Sequence, residues 1–403
     1  MINYYFFIFI IILLFLIKLF IKIKFKFWAE QPVFHYYNLF YWLFSNRVIN
    51  NNLPKANKYC NFINIICKDF LEFNETEQKN INNLLQTNYC RSKNIDYIPS
   101  EESFKSNFIG HNKSTFIGIY NEDQYELKDN KFIKDEKIIG IITGRPIFIT
   151  LKKELLNAYY VDYLCVDKNF RNKNIAPQLI QTYEFIQRNK VQDSKVSLFK
   201  REGILTGIVP LTVYKSYRFN ANYINSEKRI DFLKQSNRLI EISELNFDLF
   251  RELINKKTFK CKILTTETNL LNLIKNKIYK IYGLISDNIL LGVYIFRENN
   301  LIMKEDSKEY SSIDLIASLI NCDKNNFVNG FEQSLKEIKK NNKNNKKDNE
   351  IKNINIEDIS DNDIILNYLF SKSFSKDFSI PMAYFLYNYI HKPILSKNVF
   401  ILI

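Results

Sequence analysis

The sequence predicts a mixed α/β protein built from a duplicated strand unit and preceded by one apolar helix. Residues 159–166 are rich in aromatic and β-branched side chains, as in a strand, and the apolar positions of residues 176–186 recur at helical spacing. Two apolar, glycine-centred strands within 114–143 have a counterpart pair within 281–294. The repeat suggests a duplicated unit, but two apolar hairpins are also an ordinary occurrence in a chain of 403 residues, so the pattern alone leaves both readings open.

The N-terminal segment predicts a membrane anchor. Residues 1–17 carry no charge and are mostly Phe, Ile and Leu, and Lys18 can snorkel so that residues 1–21 reach the length of a transmembrane helix. Residues 22–26 form a basic juxtamembrane segment, which predicts a single-pass membrane protein whose catalytic domain faces the cytosol. A cleaved secretory signal is disfavoured because the charges follow the apolar run, and a helix lying on the membrane surface is the alternative.

Charge and cysteine usage restrict the partners only loosely. The net charge of +14 favours acidic partners, such as nucleotide phosphates, anionic lipid or nucleic acid, but does not choose among them, and a biased genome would give the same excess of Lys and Asn. The six cysteines form no CxxC pair and no metal-ligand spacing with the three histidines. We therefore expect reduced thiols and no metal.

The turn that follows strand 159–166 predicts an anion site. Pro177 suits the first turn of a helix, where its missing N–H costs nothing, so free backbone donors should lie near residues 171–176. Arg171 and Lys173 flank them, and such a helix terminus suits a phosphate or pyrophosphate.

Other catalytic motifs are missing from the sequence. It holds no GxxxxGK, GxGxxG, GxSxG or HExxH, and Cys165 lies between apolar strand residues, as a core thiol would. In the second half of the chain, an Asn- and Lys-rich stretch near 339–353 predicts a low-complexity loop, and residues 399–403 predict a buried terminal strand.

Several motifs together resemble one family. Arg171-x-x-Asn174-x-Ala176 resembles the (Arg/Gln)-x-x-Gly-x-(Gly/Ala) signature with which acetyltransferases bind coenzyme A. More specifically, residues 161–177, Val-Asp-Tyr-Leu-Cys-Val-Asp-Lys-Asn-Phe-Arg-Asn-Lys-Asn-Ile-Ala-Pro, resemble Glu-Ile-Asn-Phe-Leu-Cys-Val-His-Lys-Lys-Leu-Arg-Ser-Lys-Arg-Leu-Ala-Pro of eukaryotic glycylpeptide N-myristoyltransferases. Phe-Trp-x-x-Gln-Pro-Val at 27–33 is similar to a second motif of that family.

The resemblance implies a fold and an activity. It implies two fused acetyltransferase-like (GNAT-type) halves related by a pseudo-twofold axis: an acyl-CoA-binding half at 27–225 and a peptide-binding half at 226–403. The implied function is transfer of myristate from myristoyl-CoA, as co-substrate, to the N-terminal glycine of proteins. It also implies a monomer with no permanently bound cofactor and no nucleic-acid partner.

The resemblance also assigns residues to roles. Ile403 would supply its C-terminal carboxylate as the base, and the backbone amides of Tyr163 and Leu164 would form the oxyanion hole. Asp162, Tyr384 and Tyr387 would contact the peptide. The expected acyl-CoA contacts are Lys26, Phe27, Trp28, Val166, Arg171, Asn172, Lys173, Asn174, Ile175 and Ala176.

Departures from the family leave other functions open. Asp162 replaces an Asn of the family, and Lys-Arg-Glu-Gly at 200–203 replaces its Thr-Ala-Gly segment. These changes affect the peptide side more than the coenzyme A side. A catalytically degenerate acyl-CoA-binding protein, or an acetyltransferase-superfamily enzyme with another acyl donor, are the alternatives.

Overall fold

The computed structural model describes residues 2–44, 46–90, 94–128, 131–203, 207–224, 237–305, 308–344, 349–372, 374, 376 and 378–403. The helices are α1 (Ile2–Phe25), α2 (Glu75–Asn88), α3 (Glu101–Ser106), α4 (Ile175–Lys190), α5 (Ala221–Ile224), α6 (Phe247–Lys256), α7 (Glu267–Lys275), α8 (Lys324–Asn344) and α9 (Asn362–Ser371). The strands are β1 (Arg47–Val48), β2 (Ile65–Asp69), β3 (Ile95–Tyr97), β4 (Phe116–Lys128), β5 (Lys131–Leu151), β6 (Glu154–Val166), β7 (Val196–Glu202), β8 (Thr212–Asn220), β9 (Arg238–Glu241), β10 (Cys261–Leu264), β11 (Tyr279–Ser286), β12 (Ile289–Glu305), β13 (Lys308–Ile320), β14 (Glu350–Glu357), β15 (Phe378–Tyr387), β16 (Tyr389–Ile390) and β17 (Val399–Leu402).

Helix α1 contains the apolar N-terminal segment and extends beyond it. Its 24 residues include Lys22 and Lys24, so most of the predicted juxtamembrane segment 22–26 is a helical continuation rather than a separate element. The mean hydropathy of its most apolar window is 2.9 and none of that window is buried, so by length and composition this helix could cross a membrane.

One large sheet organises the rest of the molecule. Its strands lie in the order β17-β10-β5-β6-β7-β15-β8-β14-β13-β12-β11-β9, and β4 pairs with both β5 and β2. Within it, β6 and β7 are parallel and are connected through α4, and β13 and β14 are parallel and are connected through α8. The order β5-β6-β7-β15 on one side therefore mirrors β12-β13-β14-β8 on the other, which confirms the two-half arrangement.

The repeated glycines allow a helix to pack closely on the sheet in both halves. A Cβ added to Gly140 of β5 would lie 2.9 Å from Leu179 Cδ1 of α4, and one added to Gly292 of β12 would lie 2.9 Å from Phe327 Cδ2 of α8. Both distances are too short for a real Cβ contact. Each glycine thus lets the crossover helix approach its sheet closely.

The two halves exchange one strand each. β8 belongs to the first half by sequence but pairs with β14, whereas β15 belongs to the second half but pairs with β7. The two exchanged strands pair with each other at the centre. The two halves therefore share one continuous sheet and do not form two independent sheets.

The predicted loop near 339–353 is wrong for most of its length. Helix α8 continues to Asn344, and β14 begins at Glu350. Residues 345–348 lie outside the described residues. Helix α8 persists because Phe327, Phe331, Leu335 and Ile338 recur at helical spacing and are buried against β12 and β14.

Candidate active site

A β-bulge interrupts strand β6 at the predicted oxyanion position. Ile141 of β5 pairs with Cys165 and Thr143 pairs with Asp162, so Tyr163 and Leu164 together oppose a single residue. Tyr163 has a φ of +49°, a left-handed conformation that is rare for an aromatic residue. Because a bulge leaves its extra residue unpaired, this geometry releases backbone N–H groups from the sheet.

The Tyr163 side chain holds the bulge in place. Its ring packs on Tyr89 and Phe104, at centroid distances of 5.5 and 5.6 Å. Tyr97 donates a hydrogen bond to the Tyr163 hydroxyl at 3.1 Å. The strained backbone is thus fixed by an aromatic cluster from α2, β3 and α3.

The Asp162 side chain binds one of the two backbone amides that were predicted to form the oxyanion hole. Its Oδ1 accepts a hydrogen bond from the Tyr163 backbone N–H at 2.8 Å. Thr143 fixes the same residue by donating its hydroxyl proton to the Asp162 carbonyl oxygen at 3.1 Å. The carboxylate that replaces the family's Asn therefore competes with any ligand for the Tyr163 amide.

An apolar cavity of about 210 Å³ opens on one side of the bulge. Side chains of the sheet and of helix α4 form it: Ile142, Val161, Leu164, Ile180, Tyr183 and Phe199. Trp28 closes it by stacking on Phe199, with the centroids 5.8 Å apart. This cavity suits an apolar chain.

A polar cavity of about 160 Å³ lies on the other side and contains the last residue of the sequence. Asp162, Tyr163 and Tyr89 line both cavities, so the bulge lies at their junction. Ile403 is buried in the polar cavity, and Tyr279 donates a hydrogen bond to one of its terminal oxygens. Parallel pairing of β17 with β10 holds Ile403 in this position.

Two arginines line this cavity together with four acidic residues, Asp162, Glu202, Glu298 and Asp314. Arg145 is buried, and its Nη1 has no hydrogen-bond partner in the structure. Arg297 pairs with Asp314 at 3.3 Å; burial alone would lower the pKa of Arg297, but Asp314 and its other neighbours raise it further above its usual range. The guanidinium groups of Arg145 and Arg297 thus lie in the same cavity as Ile403.

The loop before α4 has a backbone geometry that suits the predicted anion site. Asn172 and Asn174 have φ values of +66° and +60°, and the helix begins at Ile175. Residues 171–174 are exposed and Ala176 is half-buried, so the first amides of the helix are accessible to an anion. The Lys173 ammonium lies 4.6 Å from the Phe170 ring centroid.

Arg171 positions this loop rather than pointing freely to solvent. Its Nε donates to the Val166 carbonyl at 3.2 Å and its Nη2 to the Asn88 carbonyl at 3.0 Å. We expect R171A to weaken coenzyme A binding about fivefold because two charge-assisted hydrogen bonds to the loop are lost. K173A, which removes an equal charge without these bonds, is the control, and isothermal titration with coenzyme A measures both; equal losses would contradict the positioning role.

The segment at 26–28 is only partly in the site. Trp28 lines the apolar cavity, and Phe27 is buried behind it against Tyr59, with centroids 5.0 Å apart. Lys26 is exposed and lines neither cavity.

The two predicted peptide-binding tyrosines of β15 have different surroundings. Tyr387 lines the apolar cavity and donates a hydrogen bond to Gln31 at 2.8 Å. Tyr384 lines neither cavity; it is buried in the core and stacks on Tyr214 at 6.1 Å. The two tyrosines differ because residues three apart in a strand face opposite sides of the sheet, and the role of Tyr384 in peptide binding stays a prediction.

Three charged residues of the site were not predicted from the sequence. Arg145 is the only charge in the apolar run 138–151, and this is a signal that could have identified it, whereas Arg297 is followed by Glu298 and carries no such signal. Glu184 lies on the apolar face of α4, lines the apolar cavity and is 3.6 Å from Arg188.

Burial raises the pKa of Glu184 to about 7, although Arg188 opposes the shift. The stability that this group contributes is therefore greatest below its unfolded-state pKa of 4.5 and is lost as the pH rises through about 7. We expect the advantage of E184Q over the parent in free energy of unfolding to grow by about 2 kcal/mol from about pH 5 to about pH 8. Denaturant unfolding at both pH values measures it; parallel pH profiles would contradict the assignment.

Metal and thiol chemistry have little support. Among the residues described, no group of three or more His, Cys, Asp or Glu side chains could hold a metal ion. Cys165 is buried, and burial raises the pKa of its thiol to about 11, so it is a core residue rather than a nucleophile.

Comparison with known proteins gives consistent similarities to one family. Residues 68–209 match the family model "Myristoyl-CoA:protein N-myristoyltransferase, N-terminal domain". The chain is 24% identical over 300 residues to a putative glycylpeptide N-tetradecanoyltransferase of Amsacta moorei entomopoxvirus, covering 71% of this chain and 94% of that protein. It is 28% identical over 151 residues to a putative glycylpeptide N-tetradecanoyltransferase 2 of Arabidopsis thaliana, covering 37% of this chain and only 31% of that protein.

Solved structures share the fold. The crystal structure of N-myristoyltransferase from Saccharomyces cerevisiae with bound myristoyl-CoA and inhibitors superposes with a TM-score of 0.69 at 16% identity, covering 94% of this chain and 96% of that one. A second structure of the yeast protein, with bound myristoyl-CoA, gives a TM-score of 0.67 at 14% identity. Residues 68–209 are thus assigned to the N-terminal domain of the myristoyl-CoA:protein N-myristoyltransferase family, and the similarity to curated N-myristoyltransferases extends at low identity over 71% of the chain.

Proposed function

We propose that the protein is an N-myristoyltransferase that moves a myristoyl group from coenzyme A to the amine of an N-terminal glycine. The observation that carries this proposal is the position of the Tyr163–Leu164 bulge between an apolar cavity and a polar cavity that contains Ile403. An acyl chain in the first cavity and a peptide amine in the second would meet at this junction.

Each part of the acyl donor has a matching feature. The acyl chain would occupy the apolar cavity, and the pyrophosphate would bind the free amides at the start of α4. The thioester carbonyl would then lie at the bulge, where backbone N–H groups stabilise the oxyanion. Asp162 would attract the glycine ammonium into the polar cavity.

The Ile403 carboxylate would act as the base. It takes one proton from the ammonium, and the amine lone pair then attacks the thioester carbon. As the C–N bond forms and the C–S bond breaks, the bonding electrons pass to sulfur, and the nitrogen gives its second proton to the departing coenzyme A thiolate, which leaves as the thiol. Tyr279 would fix the carboxylate through its hydrogen bond, and the guanidinium groups of Arg145 and Arg297 line the same cavity.

A transfer assay tests the proposed function. The full chain is incubated with radiolabelled myristoyl-CoA and a library of glycine-initiated peptides. Transfer to peptides beginning with glycine, but not to the same peptides beginning with alanine, is the expected result. Preference for acetyl-CoA would instead support an acetyltransferase of another kind.

A second candidate is an acyl-CoA-binding protein without transferase activity. The hydrogen bond between Asp162 and the Tyr163 amide favours it, because the bond occupies a donor that the oxyanion needs. Lys200, in place of the family's small residues, forms a buried pair with Glu357 at 2.8 Å and lines the apolar cavity. Binding of myristoyl-CoA without transfer would support this candidate.

The proposed partners include a membrane, to which the protein would be anchored, and do not include nucleic acid. Helix α1 would anchor a monomer in a membrane, with the catalytic part on the cytosolic side, where Lys22 and Lys24 flank the span. Extraction of membranes with alkaline carbonate tests the anchor, and protease protection of sealed vesicles tests its orientation.

A further inference from the structure

We infer that residues 36–44, here called the aromatic foot, form a second membrane-contact surface that lies in the lipid headgroup region beside helix α1. This inference extends the membrane partner of the proposed function and rests on it. It requires nothing of the transferase chemistry.

The foot exposes a concentrated apolar surface. Residues Leu39–Leu43 form a short 3-10 helix without a buried residue. Leu39, Phe40 and Leu43 are 73%, 76% and 80% exposed. Large apolar side chains that are adjacent and almost fully exposed indicate an interaction surface rather than ordinary surface variation.

The foot is held rigidly, so the exposure is not that of a loose loop. The Phe34 ring packs on Trp42 at 4.8 Å and on Tyr41 at 5.8 Å, and Trp42 Nε1 donates to the Tyr36 carbonyl at 3.4 Å. Phe34 itself is buried in a cluster with Val209 and Ile390. The two inner rings thus fasten the helix to the body and direct the other three side chains outward.

The position of the foot argues for a membrane as its partner. The Phe25 ring, at the last residue of α1, lies 5.6 Å from both the His35 and the Tyr37 rings. It also lies so close to Gly207 that a Cβ there would be 2.4 Å from its Cε1. The foot therefore begins where the apolar helix ends, which is the depth at which aromatic residues concentrate in membrane proteins.

Charges near the foot suit an anionic headgroup layer. Lys22 and Lys24 lie in the last turn of α1, and the Arg47 guanidinium lies 3.7 Å from the Phe44 ring centroid. Apolar side chains surrounded by basic groups are typical of surfaces that insert shallowly into anionic membranes. A second copy of the chain or a protein partner would not need this proximity to α1.

Tryptophan fluorescence gives a direct test because the chain has only two tryptophans, Trp28 and Trp42. The full chain is reconstituted in phosphatidylcholine–phosphatidylserine vesicles whose acyl chains are brominated near the headgroup. The W42F variant reports Trp28 alone, so its difference from the parent isolates Trp42. We expect Trp42 emission to fall about twofold in brominated vesicles, as for a ring at interfacial depth.

A triple variant, L39S/F40S/L43S, removes the outward side chains without touching the inner rings, and should abolish this quenching while acrylamide gains access to Trp42. Carbonate extraction of the same vesicles separates the two claims. Protein that resists extraction but shows unquenched Trp42 overturns the aromatic foot alone. Extracted protein with quenched Trp42 overturns the anchor and supports the foot, and extracted protein with unquenched Trp42 overturns both.

Discussion

Adding one alanine after Ile403 is expected to lower the rate of acyl transfer by about 10²- to 10⁴-fold, the usual contribution of a positioned general base. The extension moves the carboxylate out of the polar cavity and leaves an amide carbonyl in its place, beside Tyr279. An amide carbonyl cannot accept the proton of the glycine ammonium at neutral pH. Single-turnover measurement of peptide acylation gives the rate.

Binding of myristoyl-CoA provides the internal control for this extension. The apolar cavity and the start of α4 hold no part of β17, so affinity for the acyl donor should stay within about twofold, as for sites that share no contacts. I403L, which keeps the carboxylate and an apolar side chain, should retain transfer. Full turnover by the extended chain would remove the base from the mechanism.

The sequence predicted those structural features that depend on residues close together in the chain. The start of α4 follows from a strand, a polar turn and Pro177, and the structure has that helix beginning at Ile175. The repeated glycine strands indicated duplication because each half needs a close helix-to-sheet contact at the same place.

Features that depend on distant segments could not be predicted in this way. Arg145, Arg297 and Ile403 meet in one cavity although they come from three separate strands. The exchange of β8 and β15 leaves no local pattern, since each strand would look the same in its own half. Tyr384 and Tyr387 differ only in the face to which they point, and this depends on register.

The composition of the C-terminal part of helix α8 led to a wrong prediction of a loop. The Asn- and Lys-rich stretch favoured a loop. The part of the helix that precedes this stretch has Phe327, Phe331 and Leu335 at four-residue spacing, and all three are buried. Burial of that face against the sheet stabilises the helix strongly enough to extend it into residues with poor intrinsic preference.

Replacement of Asp162 by Asn is expected to raise the rate constant for acyl transfer about tenfold. The Asp162 carboxylate accepts the Tyr163 amide at 2.8 Å, and this charge-assisted bond is worth about 1 to 2 kcal/mol more than the bond to a neutral amide. D162N thus lowers the cost of releasing the Tyr163 N–H to the oxyanion.

The same substitution should raise the KM for peptide, because a carboxylate beside Ile403 attracts the glycine ammonium and Asn does not. E202Q is the matched control: it removes one negative charge from the same cavity without touching the Tyr163 amide, so it should raise KM but leave the rate constant unchanged. Steady-state kinetics with a glycine-initiated peptide separates the two constants. If D162N changes KM alone, Asp162 binds the ammonium without restraining the oxyanion hole; if it creates activity in an inactive parent, the divergence at this position is what silenced the enzyme.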